Sequence, residues 1–127
     1  MTNILLIGAG GALGAVSRHL AGQFFLRTIG PDWPYGTFAV NVLGGLIMGG
    51  FIGWLAQAGR ADANELRAFF AVGLLGGFTT FSAFSLDVVV MIERRAYGDA
   101  IGYVAASVIL SILALFVGLM IARRIFA

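Results

Sequence analysis

The chain has 127 residues, 60% of them hydrophobic and only 11% charged, with a mean hydropathy of +0.97. That balance lies far outside the range of soluble domains, and the length fits one domain. All eight basic residues are Arg, they are scattered, and the net charge is +2, so no basic stripe marks a nucleic-acid partner. With no Cys there is no disulfide, thiolate nucleophile or Cys metal site. No charged segment precedes the first apolar run, so a cleaved signal peptide is not expected.

Charges divide the chain into apolar spans at about residues 3–26, 36–56, 67–92 and 99–122. A membrane-crossing helix needs roughly 20 apolar residues, and each run meets that length. The expected fold is an all-α membrane protein with four transmembrane helices in a single domain, residues 1–127. The connections are short, at about 27–35 with Pro31 and Pro34, 57–66 and 93–98. Trp33, Tyr35, Trp54 and Tyr97 fall near span ends, where amphipathic rings favour the headgroup level.

In the first span, residues 4–14 (Ile-Leu-Leu-Ile-Gly-Ala-Gly-Gly-Ala-Leu-Gly) imitate the strand and glycine turn of a dinucleotide site. Such a site needs a βαβ unit and a following acidic residue; another uncharged span follows instead. Helix packing is the better reading. Gly8, Gly11 and Gly14, or Gly10 and Gly14, admit a close neighbouring backbone, as small residues do in membranes. Arg18 is the one charge well inside a span. It is a vestibule candidate because intramembrane charges normally face protein or water; a side chain that snorkels and anchors the helix end is the alternative. His19, the lone His, has no second ligand or triad partner nearby and is expected at the interface.

The second span carries a ladder, Gly45-Gly49-Gly53, with the same packing logic. Asn41 lies several residues inside it. An unpaired buried amide is costly, so Asn41 either bonds another helix or offers its N–H donors to a passing anion.

The third span contains Gly76-Gly77-Phe78-Thr79-Thr80-Phe81-Ser82-Ala83-Phe84-Ser85. Paired glycines weaken a helix, and loosened backbone inside a membrane is tolerated only where protein or a wet cavity surrounds it. A break near Gly76-Gly77 is expected. Phe78, Phe81 and Phe84 recur at helical spacing, either as a packing stripe or as ring edges, which carry partial positive charge toward an anion. Freed carbonyls at the break suit a hard cation. In the fourth span Tyr103, Ser107 and Ser111 at i, i+4, i+8 put three hydroxyls on one helix face, as a lined polar pathway would. Arg residues on the two sides of the membrane number four against three or four. A bias so small allows insertion both ways up and an antiparallel homodimer, or leaves one orientation to a slight asymmetry.

Together these residues resemble the small fluoride channels of the Fluc (CrcB) family. The likeness covers the length, the four spans, residues 76–85, Gly36-Thr37 followed by Asn41, and Arg18. It implies a dual-topology antiparallel homodimer in the bacterial plasma membrane, with two pores for passive fluoride export that protects the cell. It further implies a structural Na⁺ at the dimer centre held by backbone carbonyls of Gly76 and Thr79. The fluoride pathway it implies runs along Asn41, Phe81, Phe84, Tyr103, Ser107 and Ser111, with Phe78 left to packing. Two departures stand out: Ala83 where many members carry Thr, and His19 where an aromatic is common. The rival readings are a small dual-topology multidrug exporter, which would want an anionic residue inside a span, and a non-conducting structural subunit. No nucleophile–base pair or paired intramembrane carboxylates suggest an enzyme.

Overall fold

A computed structural model of the chain describes residues 2–127. Among the described residues, four helices are long and apolar enough to cross a membrane: Thr2–Thr28, Tyr35–Ala58, Ala63–Glu93 and Tyr97–Phe126. Each contains one of the apolar runs and passes its ends by one to four residues, because helical backbone keeps satisfying its own hydrogen bonds after the side chains turn polar.

The first two are α1 (Thr2–Thr28) and α2 (Tyr35–Ala58). The third is interrupted. Its first half, α3 (residues 63–78), opens with a turn at Ala63–Leu66, widens to i→i+5 bonding over Arg67–Leu75 and ends at Gly76–Phe78. Its second half is α4 (Phe81–Glu93), and α5 (Tyr97–Phe126) completes the chain. Gly59 closes α2 in the left-handed conformation, φ 58° and ψ 35°, which costs a glycine nothing.

The interruption falls later than the paired glycines suggest. Gly76 is helical, at φ −62° and ψ −38°. The chain extends at Thr79 (φ −83°, ψ 157°) and Thr80 (φ −152°, ψ 122°). Gly77 serves a different purpose: a Cβ there would lie 2.6 Å from the Gly11 carbonyl oxygen and 3.1 Å from Gly11 Cα. It is small so that α1 can pass against α3.

Glycine contacts set the two main helix pairs. On α1, Gly10 and Gly14 are buried, and a Cβ at either would run into α3 backbone at Phe69 and Leu74; Gly73 and Gly77 answer from the other side. Gly8 faces open space, so of the two glycine registers on α1 the pair Gly10 and Gly14 makes the contact. On α2, the ladder Gly45-Gly49-Gly53 meets α5 at Ser111, Leu115 and Ala122, while Gly118 of α5 meets Leu46. Without a hydrophobic drive between helices in lipid, close backbone packing of this kind is what holds them together.

A small aromatic and aliphatic cluster sits where α4 and α5 meet: Phe84, Met91, Ala100 and Tyr103, with Trp33, Phe38, Val88 and Ala96 against it. The Trp33 and Tyr103 ring centroids are 5.1 Å apart, edge to face, which ties the α1–α2 connection to the core. Elsewhere large apolar side chains such as Leu5, Leu20, Ile101, Ile109 and Phe116 point outward, as a lipid-facing surface requires.

Candidate functional site

The site is built around the extended pair Thr79–Thr80. In a continuous helix the Thr80 N–H would bond the Gly76 carbonyl, four residues back. Here it donates instead to Asn41 Oδ1 at 2.7 Å, and Asn41 Nδ2 donates to the Thr80 carbonyl at 2.9 Å. The α2 amide thus forms a two-bond clamp on the α3–α4 junction, with one amide hydrogen to spare. Thr80 in turn caps α4, its Oγ1 accepting from the Ala83 N–H at 3.1 Å; Ser, Thr, Asp and Asn are favoured there because they satisfy an orphan donor of the first turn. The absence of a hydroxyl at Ala83 leaves this cap untouched. Thr79 Oγ1 donates to the Leu75 carbonyl at 2.9 Å and Ser85 Oγ to the Phe81 carbonyl at 2.9 Å, so both hydroxyls are spent on their own helices.

The carbonyl end of α3 is left exposed electrically. Among the described residues, no donor reaches the carbonyl oxygens of Gly76 and Thr79. The Gly77 carbonyl accepts from Arg18 Nε at 3.2 Å. A guanidinium at this point complements the negative end of a helix. Arg18 is therefore turned into the protein, half-buried, rather than stretched toward the headgroups. It also lines a cavity of about 570 Å³ with His19, Asp32, Trp33, Thr37, Thr80, Asp87 and Arg94.

A second groove of about 370 Å³ runs on from the junction, lined by Asn41, Thr79, Thr80, Phe81, Phe84, Ser107, Val108, Ser111 and Ile112. Phe81 is 77% exposed and Phe84 only 8%; their ring centroids lie 5.6 Å apart, tilted at 45°. Phe78 stands apart against Gly44 of α2 and does not line the groove. The Oγ atoms of Ser107 and Ser111 are buried, and neither has a hydrogen-bond partner. Serines inside a helix commonly bond back to their own carbonyls, and leaving a buried hydroxyl unmade costs free energy. These two hydroxyls are the polar groups left over beside the groove once the chain's own hydrogen bonds are made.

The structure thus brings Asn41, Phe81, Phe84, Ser107 and Ser111 to one groove. Tyr103 stands aside. It is fully buried, its ring 5.2 Å from that of Phe84, but its hydroxyl donates to Asp87 Oδ2 at 3.0 Å. Asp87 is the residue that sequence reasoning missed. It is the seventh of the 13 residues of α4 and half-buried, well away from either end of that helix. One signal was available in the sequence: Asp87 and Tyr103 lie eight residues either side of Arg95, in the polar connection at 93–98 where the structure turns. An antiparallel helix pair folded there brings them level. The Tyr103 hydroxyl takes one oxygen of this carboxylate, and Asp87 also lines the cavity shared with Arg18 and Arg94.

The groove is mostly apolar, with hydroxyl and amide groups set beside the rings of Phe81 and Phe84, and no fixed charge among its lining residues. Such a surface can replace the water around a small ion with many weak contacts, and conduction requires sites good enough to enter yet weak enough to leave. No cluster of three or more His, Asp or Glu exists among the described residues, so the groove is not a side-chain metal centre. Four helices of spanning length, with an uncharged groove between α2, the α3–α4 junction and α5, define a multi-pass membrane protein.

The chain belongs to the CrcB-like protein family, described as Camphor Resistance (CrcB), whose model matches residues 5–119. Relatives named fluoride-specific ion channel FluC include that of Phenylobacterium zucineum (strain HLK1), 58% identical over the whole of both chains. That of Caulobacter sp. (strain K31) is 58% identical over all of this chain and 99% of the relative. The Caulobacter vibrioides protein (strain NA1000 / CB15N) is 54% identical over the whole of both.

Proposed function

We propose that this chain is a fluoride-selective channel, not an enzyme, that lets fluoride leave the cell down its electrochemical gradient. Hydrogen fluoride crosses membranes, dissociates at the higher internal pH and leaves fluoride trapped; a passive exit relieves the accumulation. The observation that carries the reading is the pair of buried, unpartnered hydroxyls of Ser107 and Ser111 beside Phe81 and Phe84, together with full-length relatives of that name. Fluoride is small and strongly hydrated, so many weak donors serve better than one buried Arg, whose field would trap it. Ser107, Ser111 and the edges of Phe81 and Phe84 supply those donors, with Asn41 holding the junction beside them. Tyr103 backs the Phe84 ring from behind the groove, and Arg18 supplies a positive potential at the adjoining cavity.

The working unit in this reading is an antiparallel homodimer. The near-even Arg count on the two sides allows insertion both ways up, and the exposed ring of Phe81 borders the groove where a second copy could pack. The carbonyl oxygens of Gly76 and Thr79, without donors of their own, fit a hard cation, which prefers oxygen ligands. A Na⁺ held by these carbonyls from two copies would supply fixed positive charge at the centre of the dimer and bind the two junctions to each other. Sodium-23 NMR of the purified protein tests that site: broadening that Gly76→Ala leaves unchanged but a large competing cation abolishes supports it, because Ala keeps the carbonyl. No broadening in the intact protein would remove Na⁺ from the account.

The physiological claim is tested by expressing the chain in a bacterium stripped of its own fluoride export. Growth restored in fluoride medium by the intact chain, and not by Ser107→Ala/Ser111→Ala, is the expected result. Equal sensitivity with and without the chain would count against fluoride export.

A further inference from the structure

We propose that Asn41 is a positioning residue whose side-chain amide takes the place of the peptide group missing from the interrupted third span, and that this clamp sets where Phe81 and Phe84 stand. Its effect on flux rests on the fluoride reading above; the clamp itself does not.

The geometry is specific. An amide side chain has the donor and acceptor of a peptide, and Asn41 applies both to one residue, accepting from the Thr80 N–H and donating to the Thr80 carbonyl. The competitor is the helix itself, since the Gly76 carbonyl is the natural acceptor for that N–H. Rewinding residues 79–80 into the helix would give Thr80 that partner and fuse α3 with α4. It would also shorten the span by about 3.5 Å, the difference between two extended and two helical residues. Thr80 would stop capping α4, and both phenylalanines would leave the groove shared with Ser107 and Ser111. Asn41 holds the alternative off from 39 residues away in sequence. The same capture leaves the Gly76 oxygen without its helical donor. Arg18 on the Gly77 carbonyl holds the helix end from the opposite side.

Asn41→Asp discriminates this role from simple donation to an anion. As a carboxylate, Asp accepts from the Thr80 N–H but opposes the Thr80 carbonyl with like charge. As a neutral acid it donates to that carbonyl and accepts from the N–H, so both bonds return without any hydrogen to spare. The other ionisable groups around the junction are Arg18 and His19 on α1, Asp32 in the α1–α2 connection, and Asp87 and Arg94 on α4, with Tyr103 of α5 on Asp87. All are present in the unaltered chain, which is therefore the control across the same pH range.

The experiment measures fluoride efflux from vesicles at several pH values between about 8 and 5, a range in which a partly buried Asp protonates. Amide exchange at Thr80 in the reconstituted protein is followed alongside. The clamp predicts that Asn41→Ala either lowers the Thr80 protection factor at least tenfold while Leu74 is unchanged, one local hydrogen bond being lost, or rewinds Thr80 onto Gly76 and brings spin labels at Ala63→Cys and Glu93→Cys about 3.5 Å closer. Asn41→Asp should pass little fluoride at the alkaline end and recover toward the level of the unaltered chain as pH falls, whereas the unaltered chain stays level after subtraction of empty-vesicle leak. Full Thr80 protection in Asn41→Ala with the length of the third span unchanged would overturn the proposal. So would Asn41→Asp flux that stays low in acid while Thr80 is protected, because the loss would then belong to the missing second amide hydrogen. If the unaltered chain passes no fluoride, the channel reading fails, and Thr80 protection read with the span length still decides the clamp.

Discussion

Tyr103 Oη donates to Asp87 Oδ2 across 3.0 Å, joining α5 to α4 inside the spanning part of the bundle. The bond explains how a carboxylate is tolerated there, since an intramembrane charge needs a partner. It also directs the Tyr103 hydroxyl away from the Ser107–Ser111 groove. Tyr103→Phe should therefore destabilise the protein by about 1–3 kcal/mol, the cost of leaving a partly buried acceptor unpaired. Asp87→Asn, which keeps an acceptor, should cost less, and the two together less than their sum. Thermal unfolding in detergent measures all three; an unchanged midpoint for Tyr103→Phe would show that the bond carries no stability.

The serines should behave in the opposite way. Ser107 and Ser111 have buried hydroxyls without partners, so replacement by Ala removes unsatisfied polar atoms and leaves stability equal or higher. Fluoride flux should nonetheless fall by on the order of tenfold per residue, the equivalent of one lost hydrogen bond to the ion. Flux and unfolding measured on the same preparations separate the two effects. Destabilised variants with normal flux would mean the hydroxyls serve packing.

Phe81 and Phe84 share the groove but differ in burial, at 77% and 8% exposed. Phe81→Ile should leave the stability of a single copy nearly unchanged, while Phe84→Ile should cost roughly 1–3 kcal/mol because it repacks a filled site against Tyr103. Both should cut fluoride flux with the assembly intact by size-exclusion chromatography. Flux at the original level in either variant would take that ring out of the pathway.

Glycine substitutions test the helix pairing. A Cβ at Gly49 would collide with the Leu115 carbonyl, whereas one at Gly8 meets nothing within 4 Å. Gly49→Ala should push α2 from α5 at a cost of about 1–3 kcal/mol, in the range of overpacked cores. Gly8→Ala should be neutral or slightly stabilising, because Ala is the better helix former. Equal unfolding midpoints for the two would contradict the pairing described above.

The membrane class and the four helices were legible because charge and apolar length are local properties, and the runs between Arg and Asp residues reach spanning length unaided. The glycine ladders were legible for the same reason, although only the folded chain distinguishes Gly10 and Gly14 from Gly8. The position of the break was harder to read. Gly76-Gly77 is the locally weak point, but the interruption lies where Asn41 reaches across from α2, a tertiary effect that no window around residue 76 contains. Asn41 itself was singled out, with bonding to another helix as one of its two readings. Asp87 was passed over because its importance comes from Tyr103, sixteen residues on, and from the turn that brings the two level.

Efflux of fluoride from vesicles reconstituted with the purified chain, followed by a fluoride electrode after the membrane potential is collapsed, tests the central claim most directly. The account predicts rapid fluoride release with little chloride released under the same gradient, and its loss in the Ser107→Ala/Ser111→Ala variant. Fluoride release no faster than from protein-free vesicles, or chloride released as readily as fluoride, would contradict it.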